Sequence, residues 1–566
     1  MNQPPSPTTG RRPLWPWVVL ALGLIWTVAI RVPLVHNAED HLDSDLAVDG
    51  LTLLDATHGH WRWHYPGTPH MGILPVFFSY PQALVFGANP VTLVSGGTAI
   101  WALIVVATFG LAWRAFGPSV AAWSIVPLVF SSKGTIWLSG RITGGHLLTL
   151  GWHTLALGGL GVCLTRGGWR RAGLLGVWCG LGLYLDAMFA MSIVGIAAAA
   201  SLEWLTSGRG KSGLILAAAF VAGLLVGILP REVGRWIDPY DAYPAQFSAT
   251  FEPSAVLGHA ELLVDECLPR LLAGSGLRWT TYSVGPRAGR LSVATTFWPS
   301  FAILVAFVAA VAWLGFDGIR SAAAPGRAVA ISSLFSAAAI VAAFLVNRNI
   351  FNSDNYRYLI FLLTPWALGF GLGMDSLVRR GRRWRAGAAL AAVLLVAFMS
   401  DSTLRWYQFR RYVDPHGIPT RPPRAPWSEV IVSSGRRRPT ASPRGLRATG
   451  RYTIPPDITH VFGSYWEVYR LSFLSGGRIR GIPNARYPNR FPGWSSGLGP
   501  GRGRILILWP AESSPWSSKP AAEVVGERFE RLHSARGVAW QPGFATVWVN
   551  DGRDPAELER LPVVVP

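Results

Sequence analysis

Cysteine is nearly absent from this chain: Cys163, Cys179 and Cys267 are its three cysteines among 566 residues. Three scattered cysteines are too few for a disulfide framework or a structural zinc site, which excludes both classes. Charge is also scarce, at 14% of residues against 50% hydrophobic residues, and the mean hydropathy is +0.30. This composition excludes an ordinary soluble enzyme.

Acidic residues are few as well, 31 against 51 lysines and arginines, which gives a formal net charge of +20. Such an excess is typical of proteins that bind nucleic acid, but here the arginines cluster in short loops between apolar runs. Multi-pass membrane proteins orient themselves in this way. The predicted partner is therefore the lipid bilayer, and nucleic acid is not a predicted partner.

Apolar runs of about 20 residues recur before residue 400, and each can cross a hydrocarbon core of about 30 Å. The first run lacks a small-residue cleavage site, so we expect a retained span and not a signal peptide. The 172–205 region fits either a tight pair of spans or one long kinked span. The eleven predicted spans are 14–34, 92–113, 117–131, 143–165, 172–186, 187–205, 213–230, 297–316, 328–346, 358–376 and 386–400.

The distribution of arginine predicts the topology. With a cytoplasmic N-terminus, the predicted cytoplasmic loops, including the 379–385 run RRGRRWR, all carry positive charge, as such loops usually do. The outer face then receives the loops 35–70, 231–296 and 347–357 and the tail from 401. We predict an integral multi-pass protein, of a bacterial inner or plasma membrane, with an extracytoplasmic C-terminal domain.

The chain changes character after the last predicted span. Residues 1–400 form the predicted membrane module, and 401–450, rich in Arg, Pro and Ser, reads as a linker or irregular segment. Residues 451–566 contain the strand-like runs THVFG, RILILW and FATVWVN and helix-like stretches at 464–475 and 520–534. They predict a small soluble α/β domain outside the membrane.

The 35–70 loop is acidic, although the chain as a whole is basic. It contains six of the twelve histidines and six acidic residues. Helical spacing over 45–57 predicts an amphipathic helix with Ser44 as its N-cap and Gly59 as its stop. Asp43 and Asp45 would then stand at the helix N-terminus near the lipid–water boundary. They could reach a substrate whose tail stays in the bilayer, or simply cap the helix and keep the loop soluble. The 71–87 run that follows, with two prolines and two glycines, suits a re-entrant or interfacial helix.

Several segments resemble the GT-C superfamily of polyprenyl-phosphate-sugar glycosyltransferases, in particular the bacterial protein-mannosyltransferase-like group, glycosyltransferase family 39 and its relatives. Asp43-Ser44-Asp45-Leu46-Ala47 resembles that group's acidic segment after the first span, although Asp45-Leu46 stands where relatives often have Asp-Glu. Further matches are Gly50-Leu51, His58-Gly59, the 69–75 turn and Val85-Phe86-Gly87. The 354–358 segment resembles the opening of a late span, and 462–483 resembles a tail segment of some bacterial members.

The resemblance implies a GT-C fold and sugar transfer from a polyprenyl-phosphate donor to an acceptor hydroxyl on a glycan, lipid or protein. Such transfer requires a carboxylate base, here Asp45 or Asp43, and cations at the leaving phosphate. Arg357 is the candidate phosphate clamp, because a guanidinium binds two phosphate oxygens at once; alternatively it only reaches for the interface. The remaining candidate substrate-binding residues are Tyr356, Tyr358, His64 and Arg141, with Lys133 as a lesser one.

Other readings of these residues remain open. His58, His60 and His64, with Asp43 and Asp45, have spacing compatible with a divalent metal, or they are ordinary loop residues. Asp186, inside an apolar stretch, hints at function, but in a helical pair it would sit at the outer turn with little meaning. The alternative function is a transporter or flippase for a lipid-linked or polar substrate. Against it, the acids cluster in a loop and no internal repeat is apparent.

Overall fold

The computed structural model describes most of the chain before residue 420 and several short stretches after it. The first span consists of two consecutive helices, and a segment of short elements follows it. The described residues are 13–207, 210–237, 252–275, 277, 289–321, 323–420, 429–433, 448–453, 458–463, 465–483, 490–491, 494, 504–508, 539–541 and 544–548. The first elements are α1 (Trp15–Ala29), α2 (Val32–His36), α3 (Ser44–Thr57), β1 (His64–Tyr65), β2 (Thr68–Gly72) and α4 (Tyr80–Phe86).

The predicted amphipathic helix exists as α3, but its cap differs from the prediction. Asp43, not Ser44, is the N-cap: the Leu46 backbone N–H donates to Asp43 Oδ1 at 3.0 Å. The Ser44 hydroxyl instead donates to the backbone oxygen of Tyr465 in the tail. Gly59, with φ +84°, lies just beyond the helix end, where the stop was predicted.

Long helices make up the rest of the membrane module. The 71–87 run forms only a short 3₁₀ helix (Leu74–Phe78) and α4. The helices that follow are α5 (Pro90–Phe116), α6 (Pro118–Ser124), α7 (Val126–Val129), α8 (Lys133–Ser139), α9 (Leu147–Arg166), α10 (Trp169–Leu185), α11 (Ala190–Ser207), α12 (Gly210–Ile237), α13 (Val256–Leu262), α14 (Leu268–Leu272), α15 (Gly289–Trp313), α16 (Ala324–Val346), α17 (Leu363–Arg379) and α18 (Arg382–Arg410).

Within the described residues, nine helical segments are long and apolar enough to cross a membrane. They coincide with nine of the eleven predicted spans. The predicted 117–131 span is a shorter apolar segment, 118–129, broken between α6 and α7. The 172–205 region is a pair of helices, α10 and α11, and not one kinked span, because the helix ends at Leu185 before Asp186.

Small residues bring α10 and α12 into close contact. A methyl group added to Gly176 or Gly180 would overlap the backbone of α12, and one added to Gly223 or Gly227 would overlap the backbone of α10. Membrane helices commonly pack through such small residues, because apolar side chains gain little by leaving lipid. These glycines hold α10 and α12 together, and Asp186 follows directly after the C-terminal end of α10.

The chain beyond the membrane module forms a mixed α/β region. Helix α18 ends at Arg410, ten residues past the predicted boundary at 400, and a strand pair, β3–β4, overlaps the segment predicted as a linker. A five-stranded sheet follows in the order β6-β5-β7-β9-β8. The elements are β3 (Glu429–Ser433), β4 (Ala448–Thr453), β5 (Ile458–Gly463), α19 (Tyr465–Leu474), β6 (Arg480–Pro483), β7 (Arg504–Leu508), β8 (Ala539–Gln541) and β9 (Phe544–Trp548).

All three strand-like runs predicted in the tail are strands, and the helix predicted at 464–475 is α19. The helix predicted at 520–534 lies outside the described residues. Helix α19 packs directly on α3. A Cβ placed on Gly50 would lie 2.6 Å from the Phe473 ring, so the two helices approach at a position that only glycine fits.

Candidate functional site

The Asp43 carboxylate is committed to structural contacts. It caps α3 and forms an ion pair with Arg141, which lies in the turn between α8 and α9. The Asp43 side chain is 23% exposed and that of Arg141 is 17% exposed. The pair therefore ties α3 to the membrane helices and engages the Asp43 carboxylate.

The Asp45 carboxylate faces the tail. Tyr465 Oη donates to Asp45 Oδ1 at 2.7 Å, and Arg490 Nη2 lies 3.7 Å from the same oxygen. Arg490 Nε in turn donates to Tyr465 Oη at 3.1 Å. The Asp45 side chain keeps 25% of its surface exposed, so the carboxylate is not sealed from solvent.

Asp49 lies one helical turn beyond Asp45 and is buried. Thr143 Oγ1 donates to Asp49 Oδ1 at 2.5 Å, and the Thr143 backbone N–H lies 3.3 Å from Oδ2. Burial raises the pKa of Asp49 to about 7, which the hydrogen bonds from Thr143 only partly offset. The sequence analysis did not single out this residue, although its i+4 spacing from Asp45 places both on one helix face.

Arg357 stands on a 3₁₀ helix, Ser353–Leu362, that precedes α17. Its Nη2 donates to Tyr358 Oη at 3.3 Å, while its buried Nε has no hydrogen-bond partner among the described residues. Arg357 is close enough to Asp45 for the two charges to interact. The structure thus brings together Arg357, Tyr358 and Asp45, three of the residues predicted from sequence.

Arg141 brings a second positive charge to the same place. Burial, and after it repulsion from Arg357, lower the pKa of Arg141 to about 10. Two guanidinium groups that repel each other beside one carboxylate favour binding of an anion between them.

The other candidate residues lie in different surroundings. Tyr356 is buried, and its hydroxyl donates to the backbone oxygen of Gly134 at 2.9 Å. His64 is buried at the start of β1, next to the Tyr65 backbone. Lys133 begins α8; burial and then repulsion from Arg270 lower its pKa. Tyr356 and His64 are therefore buried against backbone groups of the protein.

The structure also places a histidine that the sequence analysis did not single out. His146 Nδ1 lies 2.6 Å from Asp186 Oδ2, and Thr149 Oγ1 donates to the same oxygen at 3.1 Å. Asp186 does sit between two helices, but it is only 4% exposed and not a solvated turn residue. The available signal was the spacing of His146, Thr149 and His153, which puts all three on one face of α9.

The histidines of the acidic loop do not assemble a metal centre. Nowhere in the described part of the chain do three or more His, Cys, Asp or Glu side chains form a group that could hold a metal ion. Asp43 and Asp45 are occupied by Arg141 and by Tyr465, respectively, while His58 and His60 are exposed. The donor set for the divalent ion considered above is therefore not brought together.

Comparison with known proteins identifies the fold. No protein-family profile and no curated protein sequence matches the chain. The structure is similar to that of ArnT from Cupriavidus metallidurans bound to undecaprenyl phosphate, with a TM-score of 0.52 and 11% identity over 95% of this chain and 99% of that one. The apo state of the same ArnT gives a TM-score of 0.51 at 12% identity, over 94% and 97% of the two chains.

The Archaeoglobus fulgidus oligosaccharyltransferase in its apo form gives a TM-score of 0.46 at 13% identity. The alignment covers 83% of this chain and only 64% of that protein, so the chain spans less than two thirds of its length. The match to ArnT extends over nearly the whole of both chains and confirms the predicted fold: a multi-pass helical membrane protein of the GT-C type with a small α/β region at its C-terminus.

Proposed function

We propose that this chain, a membrane protein of the GT-C fold, is a glycosyltransferase that moves a sugar from a polyprenyl-phosphate donor to an acceptor hydroxyl. The reaction takes place on the extracytoplasmic face. Asp45 takes the proton of the acceptor hydroxyl as the new bond to the sugar carbon forms. The bond from that carbon to the phosphate oxygen breaks, and the lipid phosphate leaves with the bonding electrons.

One observation carries the proposal: the partly exposed Asp45 carboxylate interacts with Arg357, and Arg357 in turn interacts with Arg141, at the junction of α3, the 353–362 segment and the tail. Transfer from a lipid phosphate needs a base within about 2.6–3.2 Å of the acceptor hydroxyl. It also needs cations where negative charge develops on the departing phosphate. Arg357, whose Nη2 donates to Tyr358 Oη, and the neighbouring Arg141 supply positive charge for the second task.

Asp45 is the better base of the two candidates. The N-cap hydrogen bond and the ion pair with Arg141 both draw on the Asp43 carboxylate, which weakens it as a proton acceptor. Tyr465 donates a hydrogen bond to Asp45 Oδ1, and this bond orients a carboxylate that stays partly exposed. Tyr465 and Arg490 therefore act as positioning residues supplied by the tail.

The carrier lipid is proposed from the fold. ArnT from Cupriavidus metallidurans shares this architecture over nearly its full length and was solved with undecaprenyl phosphate bound. A polyprenyl phosphate here would leave its tail among the apolar helices and present its phosphate at Arg357. The proposed reaction requires only that the acceptor supply a hydroxyl group.

Purified protein incubated with a panel of radiolabelled polyprenyl-phosphate sugars tests the proposal. We expect release of the free lipid phosphate with at least one donor, and none from the Asp43→Asn/Asp45→Asn double variant. A wild-type protein that releases no lipid phosphate from any donor would contradict transfer. Movement of intact donor between the leaflets of a liposome would instead favour a flippase.

A further inference from the structure

A second polar centre adjoins the proposed transfer site and has no part in the mechanism above. His146 and Asp186 form a nearly buried pair, 8% and 4% exposed, joined at 2.6 Å. Asp186 also accepts hydrogen bonds from Thr149 Oγ1 at 3.1 Å and from the Met188 backbone N–H at 2.9 Å. Its carboxylate is fully engaged, and the imidazole is held in one orientation.

The backbone at His146 has an uncommon conformation. Its φ of 53° lies in the left-handed region, which residues other than glycine rarely adopt. Within the described chain, Arg411 is the one other such residue. Left-handed residues that a structure holds in place recur at ligand sites, because the conformation aims a side chain that a regular backbone would not.

The second nitrogen of the imidazole has no hydrogen-bond partner among the described residues. Nδ1 is engaged with Asp186, whereas Nε2 forms no hydrogen bond with the described residues and is not among the polar atoms sealed from solvent. When Nδ1 carries the proton that it donates to the carboxylate, Nε2 is a hydrogen-bond acceptor. A hydroxyl is the ligand group that fits such an acceptor.

Tyr358 connects this pair to the transfer site. Its ring centroid lies 5.3 Å from that of His146, and its hydroxyl accepts a hydrogen bond from Arg357 at 3.3 Å. His146 is thus one side chain away from the arginine proposed to hold the phosphate. A sugar attached to that phosphate carries hydroxyls on the carbons next to the reacting carbon.

We propose that His146 and Asp186 form a carbohydrate-hydroxyl subsite, in which Asp186 fixes the ring and His146 Nε2 accepts the O–H of a substrate. The inference rests on the proposed function and adds the residues that recognise the sugar. The hydroxyl belongs either to the donor sugar or to the acceptor, and separate measurements on the two substrates distinguish these sources.

Two variants test the subsite without disturbing the backbone. His146→Asn removes the imidazole, and asparagine tolerates the left-handed conformation. Asp186→Asn keeps an oxygen for the Met188 N–H but removes the charge that holds the imidazole. Loss of one such hydrogen bond should raise the KM of the recognised substrate about tenfold. His416→Asn, on an exposed histidine outside the site, is the matched control and should leave both KM values unchanged.

Equilibrium binding is a second measurement of the subsite, and it does not require the enzyme to turn over. Binding of radiolabelled polyprenyl-phosphate sugar is compared with binding of the same polyprenyl phosphate without sugar. If His146 recognises the donor sugar, His146→Asn should weaken only the first; if it recognises the acceptor, both affinities stay and the acceptor KM rises. Unchanged donor affinity and unchanged KM values in both variants would overturn the subsite. A wild type that binds the donors but releases no lipid phosphate would contradict the transfer reaction alone.

Discussion

At the scale of single residues, neighbouring carboxylates on one helix have different surroundings. Asp43, Asp45 and Asp49 lie within two turns of α3, yet one is paired with Arg141, one meets the tail and one is buried against Thr143. The surroundings set how readily each carboxylate takes a proton. Each can therefore be tested by an amide substitution that preserves its shape.

Asp45→Asn should lower turnover at least about a hundredfold, the usual contribution of a general base, with little change in thermal stability. The amide oxygen can still accept the Tyr465 hydrogen bond, so the fold is preserved. Asp43→Asn should behave in the opposite way. Asparagine still caps a helix, but loss of the ion pair with Arg141 should cost about 1–3 kcal/mol of stability.

Turnover and melting temperature of both purified variants provide the comparison. An active Asp45→Asn together with a stable, inactive Asp43→Asn would move the base from Asp45 to Asp43.

Arg357→Lys tests the phosphate clamp. Lysine keeps the charge but cannot form two parallel hydrogen bonds to a phosphate, so we expect the donor KM to rise about tenfold. Arg357→Ala should raise it at least as much, with the acceptor KM little changed. Steady-state kinetics with each substrate varied in turn measures this. Wild-type donor kinetics in the lysine variant would fit an arginine that only reaches for the membrane interface.

Asp49 should make stability depend on pH. Burial raises its pKa from 3.8 to about 7, so between these values the folded protein holds a proton that the unfolded chain has lost. Its contribution to stability is complete below pH 3.8 and decreases as pH rises through about 7, at up to about 1.4 kcal/mol per pH unit.

Asp49→Asn cannot ionise and removes this dependence. Melting curves from pH 5 to pH 8 should show that the stability of the variant relative to the wild type increases as pH rises. Parallel curves for the two proteins would mean that Asp49 keeps an ordinary pKa.

At the scale of secondary-structure elements, the contact between α3 and α19 assembles the site. Ser44 hydrogen-bonds the backbone of Tyr465, and Gly50 receives the Phe473 ring. The two contacts fix both ends of the interface. Tyr465 reaches Asp45 only because α19 is seated in this register.

Gly50→Val should therefore loosen the tail and weaken catalysis together. A side chain at this position meets the Phe473 ring, and such overpacking typically costs about 1–3 kcal/mol. The variant should show faster amide hydrogen exchange in α19 and reduced turnover, and a smaller residue at 473, as in Gly50→Val/Phe473→Leu, should restore part of both. Gly387→Ala in α18, where an added methyl group meets nothing within 4 Å, is the matched control. Unchanged exchange in Gly50→Val would show that the contact does not hold the tail.

At the scale of the whole molecule, the α3–α19 contact places the acidic loop and the tail on one side of the membrane. The two segments are more than 400 residues apart in the chain but share a hydrogen bond at Asp45. Any topology must therefore connect them through an even number of membrane crossings.

The arginine distribution then predicts which side this is. Tags inserted in the 379–385 loop should be cytoplasmic, and tags after residue 411 should be extracytoplasmic, since arginine-rich loops are retained inside. Single-cysteine labelling with a membrane-impermeant maleimide on intact cells, in a cysteine-free background, measures the side. A cytoplasmic tail would overturn both the topology and the proposed site.

The sequence by itself determined where nine of the membrane spans lie. Span length is a local property of the chain, because each helix must satisfy its own backbone hydrogen bonds in lipid. The pattern around α3 was equally local, and so were the tail strands and α19. Ser44 was misassigned as the cap because its hydroxyl bonds to Tyr465, a partner 421 residues away that no local pattern contains.

Tertiary structure decided the roles of the candidate residues. Asp43 and Asp45 look alike in sequence, and only the positions of Arg141 and Tyr465 separate a structural carboxylate from an available one. The sequence left Asp186 between a functional residue and a turn residue of little meaning, and the fold places His146 against it. A residue's chemistry in a folded chain depends on its neighbours' charge, hydrogen bonds and burial, and here most of those neighbours come from distant parts of the chain.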